Sequence, residues 1–176
     1  ASRGLGDVYK RQPLYGNLLA GKPFTVNYAM GWTGDIFGEN DVLGADPTTF
    51  GLTNGKRGNN ASYTPWSSFA IVEGKDLEFI VNLDKPTEVS KVIFGSLFNP
   101  AMRMLPAGGI AVEVSADGQQ YTQIAEKTLK HDCPETGRIA FTDSIEFEPA
   151  QATFLKVKIK NGGTLRNGVN LSLIHI

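Results

Sequence analysis

Apolar residues recur at every second position through much of this chain, and that period sets what it can fold into. Leu155, Val157 and Ile159 alternate with Lys156, Lys158 and Lys160. A strand turns successive side chains to opposite faces, which gives this segment one buried and one solvated face, whereas a helix would scatter the same residues around its axis. Leu77, Phe79, Val81 and Leu83 alternate in the same way with Glu78, Ile80 and Asn82, and Ile110, Val112 and Val114 with Ala111, Glu113 and Ser115. Val89, Val92 and Phe94 lie in a β-rich run through Leu97, and Phe141, Ile145 and Phe147 mark a further segment. Turn chemistry separates the runs at Asp84-Lys85-Pro86, Asn99-Pro100, Ala107-Gly108-Gly109, Asp117-Gly118 and Asn161-Gly162-Gly163. No stretch carries the pattern of a helix of ordinary length, so the expected fold is an all-β sandwich with long loops.

The two ends of the chain follow a different logic. Asp7-Val8-Tyr9-Lys10-Arg11-Gln12 can be written GAT GTG TAT AAG AGA CAG, and the reverse complement of that DNA reads Leu171-Ser172-Leu173-Ile174-His175-Ile176. One inverted DNA sequence therefore encodes both termini. It is identified as the mosaic end of a transposase sequencing adaptor, and Ser2 to Gly6 fit the rest of that adaptor. Residues 1–12 and 171–176 are accordingly read as adaptor-derived tails on a metagenomic fragment, and residues 13–170 as the domain proper. A secretion leader, a neighbouring domain and the natural C-terminus are expected to lie outside the fragment.

Composition excludes several classes of function. With 17 Lys+Arg against 18 Asp+Glu, the net charge of −1 gives no basic footprint for nucleic acid. No apolar run approaches the roughly 20 residues that a membrane-spanning helix needs. The single cysteine, Cys133, has no second cysteine with which to form an internal disulfide or a CxxC site.

Four stretches, in order, resemble one family. Asn17-Leu18-Leu19-Ala20-Gly21-Lys22-Pro23 is similar to the opening of discoidin, or coagulation factor 5/8 type C, domains, which are also family 32 carbohydrate-binding modules. Leu52-Thr53-Asn54-Gly55 resembles their Leu-Thr-Asp-Gly turn, the run from Val112 to Tyr121 their central hairpin, and Phe154-Leu155-Lys156-Val157-Lys158-Ile159 their late strand. The resemblance covers nearly all of residues 17–170. It is nearest to modules appended to bacterial glycoside hydrolases, in particular β-N-acetylhexosaminidases. It implies a galactose-binding-like jelly roll whose final strand is truncated here. It also implies secretion to the extracellular space, the periplasm or the outer-membrane surface, a covalently linked catalytic domain as partner, and a glycan held by loops at one end of the sandwich.

A pyranose is recognised by a flat aromatic face against its C–H side and by planar polar groups for its vicinal hydroxyls. The loop residues of those types are Trp32, Tyr63, Trp66, Phe98, Arg103, Arg166 and Asn167. Trp32, between Gly31 and Thr33, is the better platform, because Trp66 aligns with a family position used for core packing. Many members of the family hold a structural Ca²⁺ with carbonyl oxygens and the aspartate of the Asp-Gly turn. Asn54 stands at that position and is neutral, so a calcium site is expected to be weakened or absent.

No catalytic constellation competes with sugar binding. His131 is the only histidine of residues 13–170, and its neighbours Asp132 and Cys133 suggest a Cys/His dyad on paper, but Pro134 marks a turn and the group reads as a solvated loop. Two other classes stay open. One is a structural accessory domain that packs on a catalytic domain and binds no sugar. The other is an adhesion module that dips Phe98, Met102, Met104 and Leu105 into a membrane or docks them on a protein; only Arg103 would supply the flanking charge that lipid attachment favours.

Overall fold

The protein, as a computed structural model, is described for residues 17–26, 53, 67–72, 76–102, 104–163 and 169–175. Seven strands form among them: β1 (Phe24–Val26), β2 (Ser67–Val72), β3 (Leu77–Phe98), β4 (Gly109–Ser115), β5 (Thr122–Thr128), β6 (Ile139–Lys160) and β7 (Val169–His175). One turn of 3-10 helix covers Pro100–Met102. Every strand pairing is antiparallel.

β3 and β6 are each 22 residues long and pair with one another over most of that length. Sequence patterning places at Asp84-Lys85-Pro86 a turn that separates two runs; the structure instead carries a single strand through it with a bend. Asp84 takes a φ of 69°, its N–H donates to Asn82 Oδ1 at 2.8 Å, and the Thr87 hydroxyl donates to Lys85 O at 2.9 Å. The β3–β6 register shifts between Asn82 and Thr87, and again between Val89 and Lys91. Pairing resumes from Thr87 opposite Ala152 to Val89 opposite Ala150, and at the second irregularity β6 carries Pro149.

The bend sorts the strands into two sets. β1, the first arm of β3, the second arm of β6, β4 and β5 follow one another in register. The other set is β2, β7, the second arm of β3 and the first arm of β6. Both sets feed one core. Leu77, Phe79 and Val81 meet Leu155, Val157, Ile159, Ile110 and Val112, while Val89, Val92, Phe94 and Ile145 enter the same cluster from beyond the bend. The chain is thus an all-β sandwich, as its period-two pattern requires. The adaptor-like residues take part in it, because β7 runs beside β2 from Val169 opposite Val72 to Ile174 opposite Ser67.

The outward face departs from the sequence expectation. Ala111, Glu113 and Ser115 point away from the core yet are buried, with Glu113 only 8% exposed. β4 lies between β5 and β6, and the lysines of β6 fold across it instead of reaching into water. Lys156 and Lys158 both bind Glu113, at 3.2 and 2.5 Å, Lys158 also reaches Glu78 at 3.5 Å, and Lys160 pairs with Glu126.

Candidate functional site

One end of the sandwich is built by close approach of two loops. The Gly108 N–H donates to Lys160 O at 3.0 Å, and the Leu129 N–H donates to Gly108 O at 2.9 Å. A Cβ on Gly108 would stand 2.5 Å from Asn161 O, and one on Gly162 would stand closer still to Pro106 O. Both positions are glycines because backbone occupies the space a side chain would need. The Asn161 N–H donates to Asp76 Oδ1 at 3.2 Å, which ties the entry to β3 into the same junction.

This junction holds the bases of several loops named by the sequence. Asn99 and Met104 exchange two backbone hydrogen bonds of 2.9 Å, closing the loop that carries Arg103. Gly163 is the last described residue before the segment that carries Arg166 and Asn167. β1 ends at Val26 opposite Phe79, two residues from the start of β3, so the segment bearing Trp32 departs from this end as well. By contrast Thr53, which precedes Asn54, is tied to the far end: it accepts the Gly21 N–H at 2.7 Å and donates its hydroxyl to Lys22 O at 2.7 Å, next to the Lys22–Asp84 pair. Tyr63 and Trp66 precede β2, whose Ser67 is the end remote from Val72 and Val169.

Trp32, Asn54, Tyr63, Trp66, Arg103, Arg166 and Asn167 themselves lie outside the described residues. Phe98 lies within them, 3% exposed at the end of β3 opposite Ile139, and so placed it shows no ring face to a sugar. Met104 is buried beside it. Two of the four side chains considered as membrane anchors are therefore turned inward. No helix among the described residues is long and apolar enough to cross a membrane.

The electrostatic centre of the described residues is the cross-strand ladder. Burial pushes the Glu113 carboxyl up, but hydrogen bonds and attraction from Lys158 and Lys156 outweigh it and hold the group below its ordinary 4.5. Lys158 is raised, first by its hydrogen bond to Glu113. Lys156 also lies 3.9 Å from the centre of the Tyr121 ring, while burial and the charges of Asp117 and Glu113 push the Tyr121 phenol up. A carboxyl whose folded pKa is depressed adds stability above its unfolded pKa and loses it as pH falls through the folded value. The melting temperature should therefore hold between about pH 6 and 8 and fall below about pH 4.5. Glu113→Gln should lower the neutral-pH melting temperature and flatten part of that acid fall, which differential scanning fluorimetry across pH would measure. These pairs join residues up to 80 positions apart. The alternation of Lys156, Lys158 and Lys160 was the available signal, but their partners on β3 and β4 became visible only with the register.

His131 is not a solvated loop residue. Its side chain is 8% exposed, its Nε2 lies 3.0 Å from Asp143 Oδ2, and its ring centre lies 4.4 Å from that of Phe141. Asp143 and Phe141 come from β6, a packing that sequence adjacency to Cys133 did not suggest. Cys133 is exposed, and partial burial together with the Asp132 charge pushes its thiol up, away from the thiolate a nucleophile needs. Among the described residues no group of three or more His, Cys, Asp or Glu side chains is arranged to hold a metal ion.

No protein-family profile and no curated protein sequence matches the chain. Solved structures do. Over 92% of this chain and 96% of the other, the fold matches family 32 carbohydrate-binding module 5 of a Clostridium perfringens family 89 protein, solved with GalNAc-β-1,3-galactose, at a TM-score of 0.52 and 17% identity. Chitosan-binding module 1 of a Paenibacillus sp. IK-5 chitosanase/glucanase matches at 0.48 and 18% identity, over 89% of this chain and 93% of the module. The third family 32 module of a Clostridium perfringens family 31 glycoside hydrolase matches at 0.45 and 14%, over 86% and 88%. The first of these likenesses establishes the fold as that of the galactose-binding-like sandwiches.

Proposed function

We propose that this chain is a non-catalytic carbohydrate-binding module of a secreted bacterial glycoside hydrolase and that it takes its glycan at the junction end of the sandwich. The observation that carries this is the junction itself, where glycine-to-backbone contacts pin the bases of the loops bearing Arg103 and Arg166–Asn167, at the end where β1, which precedes Trp32 in the chain, also finishes. The full-length likeness to a sugar-binding module of the same fold supports it. In this scheme Trp32 is the stacking platform, and Arg103, Arg166 and Asn167 hydrogen-bond vicinal hydroxyls. The parent catalytic domain would be a β-N-acetylhexosaminidase or a related enzyme, working outside the cytoplasm. With Asn54 in place of an acidic ligand, binding proceeds without calcium.

A single module of this kind binds in the millimolar to micromolar range, about −4 to −8 kcal/mol, and one stacked ring is a large share of that. Isothermal titration with oligosaccharides terminating in galactose or N-acetylhexosamine should give such a constant, unchanged by EDTA. Trp32→Ala should weaken it at least about tenfold while leaving the fold intact. An unchanged constant in that variant would remove Trp32 as the platform, and silence across a broad glycan array would remove the proposal.

One observation favours the structural accessory alternative. A groove of about 670 Å³ opens between β5 and β6, where Ile124, Ile145 and Phe147 are interspersed with Glu126, Lys127 and Glu146. A domain that packs on a neighbour without binding sugar would use a seam of mixed apolar and charged character of this kind, and it would be silent on the array.

A further inference from the structure

Two irregularities in the strand pairing meet across one flank of the sandwich. Val112 pairs with Ala125 and Glu113 with Gln123, which leaves Ile124 as an extra residue of β5 and sets Ile124 and Ala125, adjacent in the chain, both against the core. On β6, Ala150 stands opposite Val89 and Glu146 opposite Lys91, so Phe147, Glu148 and Pro149 answer to Ser90 alone. Bulges of this kind re-aim side chains and interrupt pairing. Both of them front the groove of about 670 Å³, which β5 lines with residues 124–127 and β6 with residues 145–150.

The groove has an apolar floor and a charged rim. Ile145 is buried, Ile124, Ala125 and Phe147 are half-buried, and Glu126, Lys127, Glu146 and Glu148 are exposed. Three carboxylates therefore line it against one ammonium. The lysines that pair with two of them, Lys160 with Glu126 and Lys91 with Glu146, stand outside the lining, and Glu148 has no partner among the described residues. The Lys91 hydrogen bond holds the Glu146 carboxyl below its ordinary value, helped by the charge of Lys127. Exposed pairs hold weakly, so a cation on a ligand can take the place of either lysine.

Neither wall invites an added strand. Lys127 Nζ donates to Ser144 O at 2.9 Å, capping a β6 carbonyl from the β5 side, and Pro149 has no N–H to give. What enters is held by its side chains. Six residues of β6 extend for up to about 20 Å, the reach of a polypeptide segment of similar length.

From these observations we infer that the β5–β6 groove is a docking site for a segment of another polypeptide in which Lys or Arg alternates with apolar residues. The apolar side chains cover the floor at Ile124 and Phe147, and the cationic ones meet Glu126, Glu146 and Glu148 at the rim. Charge complementarity selects this occupant, because an acidic or wholly apolar segment would leave the carboxylates of the rim facing no cation of its own. The groove so occupied serves with or without a glycan at the junction end.

The test is titration of the full chain with acetylated, amidated hexapeptides in which Lys or Arg alternates with Val, Leu or Phe, beside the same set with Glu at the charged positions, read by backbone amide chemical shifts. The basic set should shift amides of residues 124–127 and 145–150 saturably, with an affinity at least about threefold lower at about 300 mM salt than at about 50 mM. Glu148→Lys, at an exposed position, should weaken binding at least about threefold and leave the melting temperature unchanged. Silence of the basic set up to about 1 mM peptide, or equal binding by the acidic set, would overturn the inference. A glucosamine tetramer that binds there more tightly than every basic peptide would overturn it as well, by making the groove a saccharide subsite. Shifts of the same amides that grow with protein concentration alone would do so too, by seating a second copy there.

Discussion

Phe79→Ala should unfold at a denaturant midpoint far below that of the parent chain, with a loss of about 3–5 kcal/mol. Phe79 is completely buried and sits between two neighbours in register, Val26 on β1 and Val157 on β6. Truncation removes the transfer free energy of the ring and leaves a cavity among Leu77, Val81 and Val157, all on strands whose backbones are fixed by pairing on both sides. Those strands cannot collapse into the space without breaking their ladders, which puts the site toward the costly end of the range. Domains of this size hold only about 5–15 kcal/mol in total, so much of the stability would go. Ile93→Ala is the control, since its partly exposed side chain makes it worth much less, about 1 kcal/mol or under. Urea melts of the two variants beside the parent would decide, and similar midpoints would show that Phe79 does not anchor the core.

Gly162→Ala should be nearly as damaging, through excess volume where Phe79→Ala leaves a void. The new methyl would press on the Pro106 carbonyl and also meet Leu105 Cβ at 3.4 Å. The obstacle is backbone, which cannot swing aside as a long side chain can, so the two loops must separate. Overpacking of this kind costs about 1–3 kcal/mol and at times more. The separation would also strain the Gly108-to-Lys160 hydrogen bond one residue pair away. If the proposed function is right, this variant loses glycan affinity more steeply than stability, because the junction pins the bases of the sugar-binding loops. Gly137→Ala is a useful comparison, since a Cβ there meets nothing and the cost is that of a positive φ alone. Equal melting temperature and equal glycan affinity in Gly162→Ala and the parent would show that the loops do not depend on this contact.

Much of the fold was legible because strand burial has a strict period. Leu155, Val157 and Ile159 against Lys156, Lys158 and Lys160 state which face is inside, and the structure buries the first three as the pattern requires. Glycines at 108 and 162 and the Asn-Gly and Asp-Gly turns marked where strands end, since few other residues suit such backbone. Asp84-Lys85-Pro86 was misleading for a physical reason. The same residues serve a chain reversal or a bend within a strand, and the choice belongs to β6, which stays paired on both sides of the bend.

The amino-acid sequence by itself determined the all-β class, much of the core and a net charge near zero, because each depends on composition or on a period of two carried by neighbouring residues. Tertiary structure alone decided which charges meet and which loops share an end. Glu113 reads as a solvated carboxylate until β4 is laid beside β6, when Lys156 and Lys158 close over it. His131 reads as a loop residue until β6 brings Asp143 and Phe141 to it from 10 or more positions away. Phe98 reads as a displayed ring until β3 runs on to pair it with Ile139 on β6 and it is buried there. In each case the deciding free energy comes from contacts between segments distant in the chain, and the register that creates those contacts is set by the whole sandwich and not by any local run of residues.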